Sequence, residues 1–148
     1  MAKGALTIRM PETRWMILAA VIALCLHGLC WYATRTLMGD GPEALAETQR
    51  QMCLALAWMV CALVMWKISL PPSRLHAVLT VLTCALFLTV LGSAAAFIKL
   101  VLVDHAVVNG KLISSFLTLG GLLVVAQLVL SIPSAILLQA VALRRTAA

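Results

Sequence analysis

Charge is the scarcest property of this chain. Only 11% of its 148 residues are charged, and just five of them are Asp or Glu. Hydrophobic residues make up 64% of the sequence, and the mean hydropathy is +1.08. A water-soluble domain of this size needs a polar face on its helices or strands, and this sequence has too few polar residues to supply one. The composition therefore excludes a soluble domain and indicates that lipid surrounds most of the chain.

Polar segments that interrupt the hydrophobic sequence are also few. They leave four apolar stretches, at 15–33, 52–70, 77–103 and 112–143, each close to or above the ~20 residues that a helix needs to cross hydrocarbon. The stretches do not alternate in polarity as barrel strands do. Since lipid offers no partner to a free backbone N–H or C=O, the spans must be helical. We predict an all-α fold, with residues 1–148 forming a single four-transmembrane-helix bundle.

The basic residues are distributed unevenly between the connections. The net charge is +6, from 11 Lys and Arg against 5 Asp and Glu, which in a membrane protein indicates topology and not a nucleic-acid partner. By the positive-inside rule the more basic side is cytoplasmic, so both termini are predicted inside, in a bacterial inner membrane. The segments on that side contain Lys3, Arg9, Arg14, Lys67, Arg74, Arg144 and Arg145, and those on the other contain Arg35, Arg50, Lys99 and Lys111.

The first stretch has the basic start and apolar run of a secretory signal peptide. The run is long for that role, however, and no small-x-small cleavage pattern follows it. We therefore expect the first helix to be retained as a span.

The first outer connection contains a helix start. Asp40, Gly41 and Pro42 precede Glu43, which predicts that the second helix begins ahead of its apolar stretch and extends into the outer compartment. On this extension Glu43 and Glu47 share a face, and Glu47 can pair with Arg50 at i,i+3. The extension is either a solvated helix end or a docking surface for a partner.

Several catalytic patterns are absent from the spans. No carboxylate lies within one, which sets the chain apart from small multidrug antiporters of similar size, because proton-coupled exchange needs an ionisable group there. There is no Cys-x-x-Cys pair like that of membrane disulfide-generating oxidases or vitamin K epoxide reductases. The arginine and asparagine motif of membrane glutathione transferases is also missing. With no Ser or Cys paired with a base, the sequence predicts a protein that is not an enzyme.

Five cysteines and three histidines remain as candidates for covalent or metal chemistry. Cys30 and Cys53 flank the first outer connection and form a candidate disulfide; otherwise the cysteines are packing residues. His27 and His105 are the only histidines whose depths allow them to converge on a metal or haem. We predict no cofactor and keep this pair as the alternative.

Small residues recur within the spans and predict close helix contacts. They serve either contact with another protein or packing within the chain. Gln127 is the strongly polar residue nearest the centre of a span, which predicts a hydrogen bond between helices or a place on a solute path. The candidate contact residues are Ala19, Ala23, Gly92, Ala96, Gly120 and Gly121.

These features favour a non-catalytic membrane protein that binds another membrane protein or its own copies through helix faces. It would act as an accessory or assembly subunit, or as an inhibitor; in size and architecture the chain is similar to immunity proteins that protect bacteria from pore-forming toxins. A second hypothesis is a small oligomeric transporter or channel with a polar stripe on the fourth helix. A third is a haem, metal or thiol redox protein. The stripe would comprise Ser114, Ser115, Thr118 and Gln127.

Overall fold

The computed structural model describes residues 12–143. It contains four helices, each long and apolar enough to cross a membrane, which confirms the all-α prediction and indicates an integral membrane protein. The terminal cations Lys3, Arg9, Arg144 and Arg145 lie outside the described residues. The helices are α1 (Thr13–Leu37), α2 (Glu43–Ile68), α3 (Arg74–Leu102) and α4 (Gly110–Ala142).

Side-chain caps begin the last two helices. Pro71 and Pro72 follow the end of α2, and Ser73 then caps α3 by accepting a 3.2 Å hydrogen bond from the backbone N–H of His76. Asn109 caps α4 in the same way, because its Oδ1 accepts a 2.8 Å bond from the N–H of Leu112. Each cap gives a partner to a first-turn donor that the helix itself leaves unpaired.

The connection between α1 and α2 is short and built on glycine. Gly39 and Gly41 have positive φ angles of 85° and 54°, a conformation that costs glycine little because it has no Cβ. An ion pair between Arg35 and Asp40 joins the end of α1 to this turn. Glu43 then begins α2, as predicted, well before the apolar stretch at residue 52.

Each helix contacts two others. α1 and α3 both pack against α2 and α4, whereas within the described residues no Cα atom of α1 lies within 8 Å of one in α3, and none of α2 within 8 Å of one in α4. α1 approaches α2 closely at Gly28, where a Cβ would lie only 2.8 Å from the Sδ of Met52.

The core is concentrated toward one end of the helices. Large buried side chains such as Trp58, Trp66 and Leu138 pack there among alanines. Along α3 the last buried residue is Thr89, and along α4 the first is Gln127. No residue between 90 and 126 is buried, so the adjoining halves of α3 and α4 contribute nothing to the core. The buried alanines are Ala19, Ala23, Ala44, Ala55, Ala62, Ala77, Ala85, Ala135 and Ala142.

Candidate functional site

The structure brings two polar side chains together inside the apolar core. His27 and Gln127 are both fully buried, close to the middle of α1 and α4, and their Nε2 atoms are 3.4 Å apart. The separation is at the long end of hydrogen-bonding distance. Gln127, predicted as a contact between helices or as part of a solute path, therefore lies at a contact between α1 and α4.

Two tryptophans complete this polar centre, which we define as His27, Trp31, Trp58 and Gln127. The His27 ring meets Trp58 of α2 edge to face, with centroids 5.6 Å apart and an interplanar angle of 80°. Trp31, one turn further along α1, lies 6.4 Å from the same ring. Edge-to-face aromatic contacts add stabilisation beyond burial, so the centre joins α1, α2 and α4.

The polar centre is incompletely hydrogen-bonded. The Nε1 atoms of Trp31 and Trp58 are buried without a partner, as is Oε1 of Gln127. In either orientation of its amide, Gln127 presents one atom to His27 and leaves the other unpaired. An unsatisfied buried polar group costs about 1–3 kcal/mol. The polar centre therefore joins the helices, but its unpaired atoms lower the free energy of unfolding.

The other histidines lie elsewhere. His105 is exposed in the connection between α3 and α4, with a positive φ of 51°, whereas His27 is in the core. His76 is exposed, with its Nδ1 2.8 Å from the Ser73 hydroxyl. Among residues 12–143 no group of three or more His, Cys, Asp or Glu side chains is arranged to hold a metal ion.

The cysteines show one contact that their spacing does not predict. All five cysteines are free thiols, and Cys30 is half-buried while Cys53 is exposed. The disulfide between Cys30 and Cys53 stays a prediction. Cys61 of α2 and Cys84 of α3 lie close enough to interact. Only the packing of α2 against α3 brings them together.

The predicted contact residues divide into two groups. Ala19 and Ala23 are fully buried and belong to the core. The other four, which we call the small-residue face, lie on the uncovered halves of α3 and α4. A Cβ added to any of its three glycines meets no atom within 4 Å beyond the adjacent residues and its own helix backbone. This face comprises Gly92, Ala96, Gly120 and Gly121.

Two grooves flank the line where α3 and α4 meet, and each contains part of the small-residue face. One, of 440 Å³, includes Gly92, Ala96 and Gly120 in its walls. The other, of 360 Å³, includes Gly120 and Gly121. Phe116 contributes to both grooves, and its ring lies 4.7 Å from that of Phe97, which joins α3 to α4.

The start of α2 carries the predicted acidic extension. Glu47 accepts a 2.8 Å hydrogen bond from Gln51 and lies 3.5 Å from Arg50. Glu43 is exposed and makes no ion pair with any residue of the described chain. Of the three predicted docking residues, Glu43 is thus the most available to a partner.

These arrangements offer exposed surfaces and one buried polar contact. His27 contacts aromatic rings and an amide, groups that are not nucleophiles. One open surface of the described chain is the small-residue face with its two grooves. Comparison of the chain with protein-family models, with curated proteins and with solved structures finds no match.

Proposed function

We propose that this chain is a non-catalytic, multi-spanning membrane protein that acts by helix contact. It would serve as an accessory or assembly subunit, or as an inhibitor of the immunity type. The observation that carries the proposal is the open space around the glycines of the small-residue face. These glycines are not needed for close packing inside the chain, and they leave room for a helix from outside it.

The physics of helix association in lipid supports this role. Lipid tails are as apolar as leucine, so helices associate through close van der Waals contact and polar bonds, and small residues permit the closest approach. Gly92 and Ala96 are one turn apart on α3, while Gly120 and Gly121 lie on the neighbouring helix. A partner helix seated in either groove would contact both helices and would cover part of the segment 90–126 that the core leaves uncovered.

The proposal includes an orientation. The contacts of each helix with two others support a four-helix membrane bundle, and the basic residues support cytoplasmic termini in a bacterial inner membrane. The small-residue face and the start of α2 then lie toward the outer side.

Fusions to alkaline phosphatase, which is active only after export, test this orientation. A fusion following Gly41 is expected to be active and one following Leu143 inactive, because these residues end segments on opposite sides. Activity measured in whole bacteria would contradict the orientation if the Leu143 fusion were the active one.

Site-specific photocrosslinking tests the contact. A photoreactive benzoylphenylalanine in place of Leu117, which is 66% exposed and lines the 360 Å³ groove, is expected to give a discrete protein adduct in intact membranes. Leu29 provides the matched control, since it is 64% exposed on α1 and lines none of the grooves described above. Gel electrophoresis with mass spectrometry identifies the adducts.

The G121L substitution provides a further test. Its leucine side chain projects into the 360 Å³ groove and should abolish the adduct at position 117. An adduct of twice the chain mass would identify the partner as a second copy. If positions 117 and 29 gave the same products, or if G121L left the adduct unchanged, the small-residue face would not be the contact surface.

A further inference from the structure

A third groove lies on the opposite side of the molecule, between α1 and α2. It has a volume of 350 Å³ and sits at the end where α1 begins and α2 finishes. Apart from Thr13 at its end, every residue in its walls is apolar. The walls are formed by Thr13, Met16, Ile17, Ala20, Val21, Leu24, Leu56, Val60, Leu63 and Val64.

Lys67 lies about one turn beyond the wall that α2 contributes to this groove. Val60, Val64 and Lys67 are spaced i, i+4 and i+7 along α2, so Lys67 continues the face that lines the groove by one turn. Lys67 is exposed and makes no ion pair with any residue between 12 and 143.

The start of α1 adds further positive potential. The N-cap residue Glu12 makes no side-chain cap, and its carboxylate is paired with Arg14 at 2.7 Å. Thr13, in the first turn of α1, lines the groove, so the positive end of the α1 dipole lies at this end of it. This end of a helix dipole favours a negatively charged group such as a phosphate.

We infer that this groove binds one acyl chain of an anionic glycerophospholipid, whose headgroup phosphate lies between Lys67 and the first turn of α1. The occupant must be amphiphilic, because the apolar slot opens beside a lysine that is paired with no residue between 12 and 143 and beside the positive end of the α1 dipole. The groove suits a narrow hydrocarbon chain better than a partner helix, since branched and long side chains line it and Ala20 is its only alanine or glycine. This lipid site is independent of the proposed helix-contact function.

Lipid binding to the purified full-length protein in mild detergent tests the inference. Native mass spectrometry compares phosphatidylglycerol with phosphatidylcholine of the same acyl chains. Phosphatidylglycerol is expected to bind at least several-fold more tightly. The K67Q variant should weaken its binding about five-fold, the usual contribution of a basic side chain beside anionic lipid. K111Q, which removes an exposed lysine from the start of α4, should leave binding unchanged.

A second pair of variants tests the acyl-chain part of the site. V60W fills the groove from a position that is 49% exposed, and V129W places the same side chain at a 57% exposed position of α4 outside the three grooves. Only V60W should reduce the retention of both lipids, with far-UV circular dichroism unchanged in both variants. Equal binding of the two lipids, equal effects of K67Q and K111Q, or displacement of the lipid by soluble glycerol phosphate would each overturn the site.

Discussion

The H27A substitution is expected to lower the free energy of unfolding by about 2–5 kcal/mol, the range seen when a large buried side chain is truncated. His27 is fully buried and contacts Trp31, Trp58 and Gln127. Its removal opens a cavity between three helices and takes the nearest polar group away from Gln127. Unfolding by sodium dodecyl sulfate in mixed micelles, followed by tryptophan fluorescence, measures the loss.

Two comparisons separate the loss of the polar contact from the loss of packing in H27A. H105A removes a histidine from an exposed connection and is expected to change stability by less than about 0.5 kcal/mol. The second comparison is a double-mutant cycle with H27F and Q127L. Each single variant leaves the remaining polar group buried without its partner, whereas the double variant removes both groups. The double variant should therefore be about 1 kcal/mol more stable than the sum of the two single losses predicts. Additive effects would show that the contact between His27 and Gln127 contributes packing only.

The helices of this fold can be predicted from the sequence for simple reasons. Lipid requires continuous apolar runs and internally paired backbones, so hydropathy alone locates four spans. Local chemistry adds the ends: Ser73 after two prolines predicts the start of α3, and Asp40 to Glu43 predicts the early start of α2. These features depend on residues close together in the chain.

The contacts of the candidate site depend instead on how the helices rotate and pair. His27 and Gln127 are 100 positions apart, and no local pattern indicates that they face each other. Spacing likewise treats Ala23 and Gly121 as equivalent small residues, although one is fully buried and the other is exposed. The near absence of polar residues explains this limit, because an almost uniformly apolar helix gives little indication of which face is covered.

The A23L substitution is expected to cost about 1–3 kcal/mol or more, the usual effect of adding methylene groups to a well-packed core. Ala23 has no exposed surface and belongs to the core cluster with Ala19, one turn away. Leucine at this position would have to push neighbouring helices apart. The measurement is the same detergent unfolding transition, together with the yield of folded protein.

The G121L variant is the matched control, since it also adds a leucine side chain at a small helical residue. Beyond the adjacent residues and its own helix backbone, no atom lies within 4 Å of a Cβ built at Gly121, and a 360 Å³ groove adjoins it. We expect its stability to stay within about 0.5 kcal/mol of the parent or to rise slightly, since glycine is a poor helix former. If G121L unfolded the protein as A23L does, Gly121 would serve packing within the chain, and the small-residue face would lose its role as a surface for partners. A folded G121L that no longer binds its partner would instead separate stability from function at a single position.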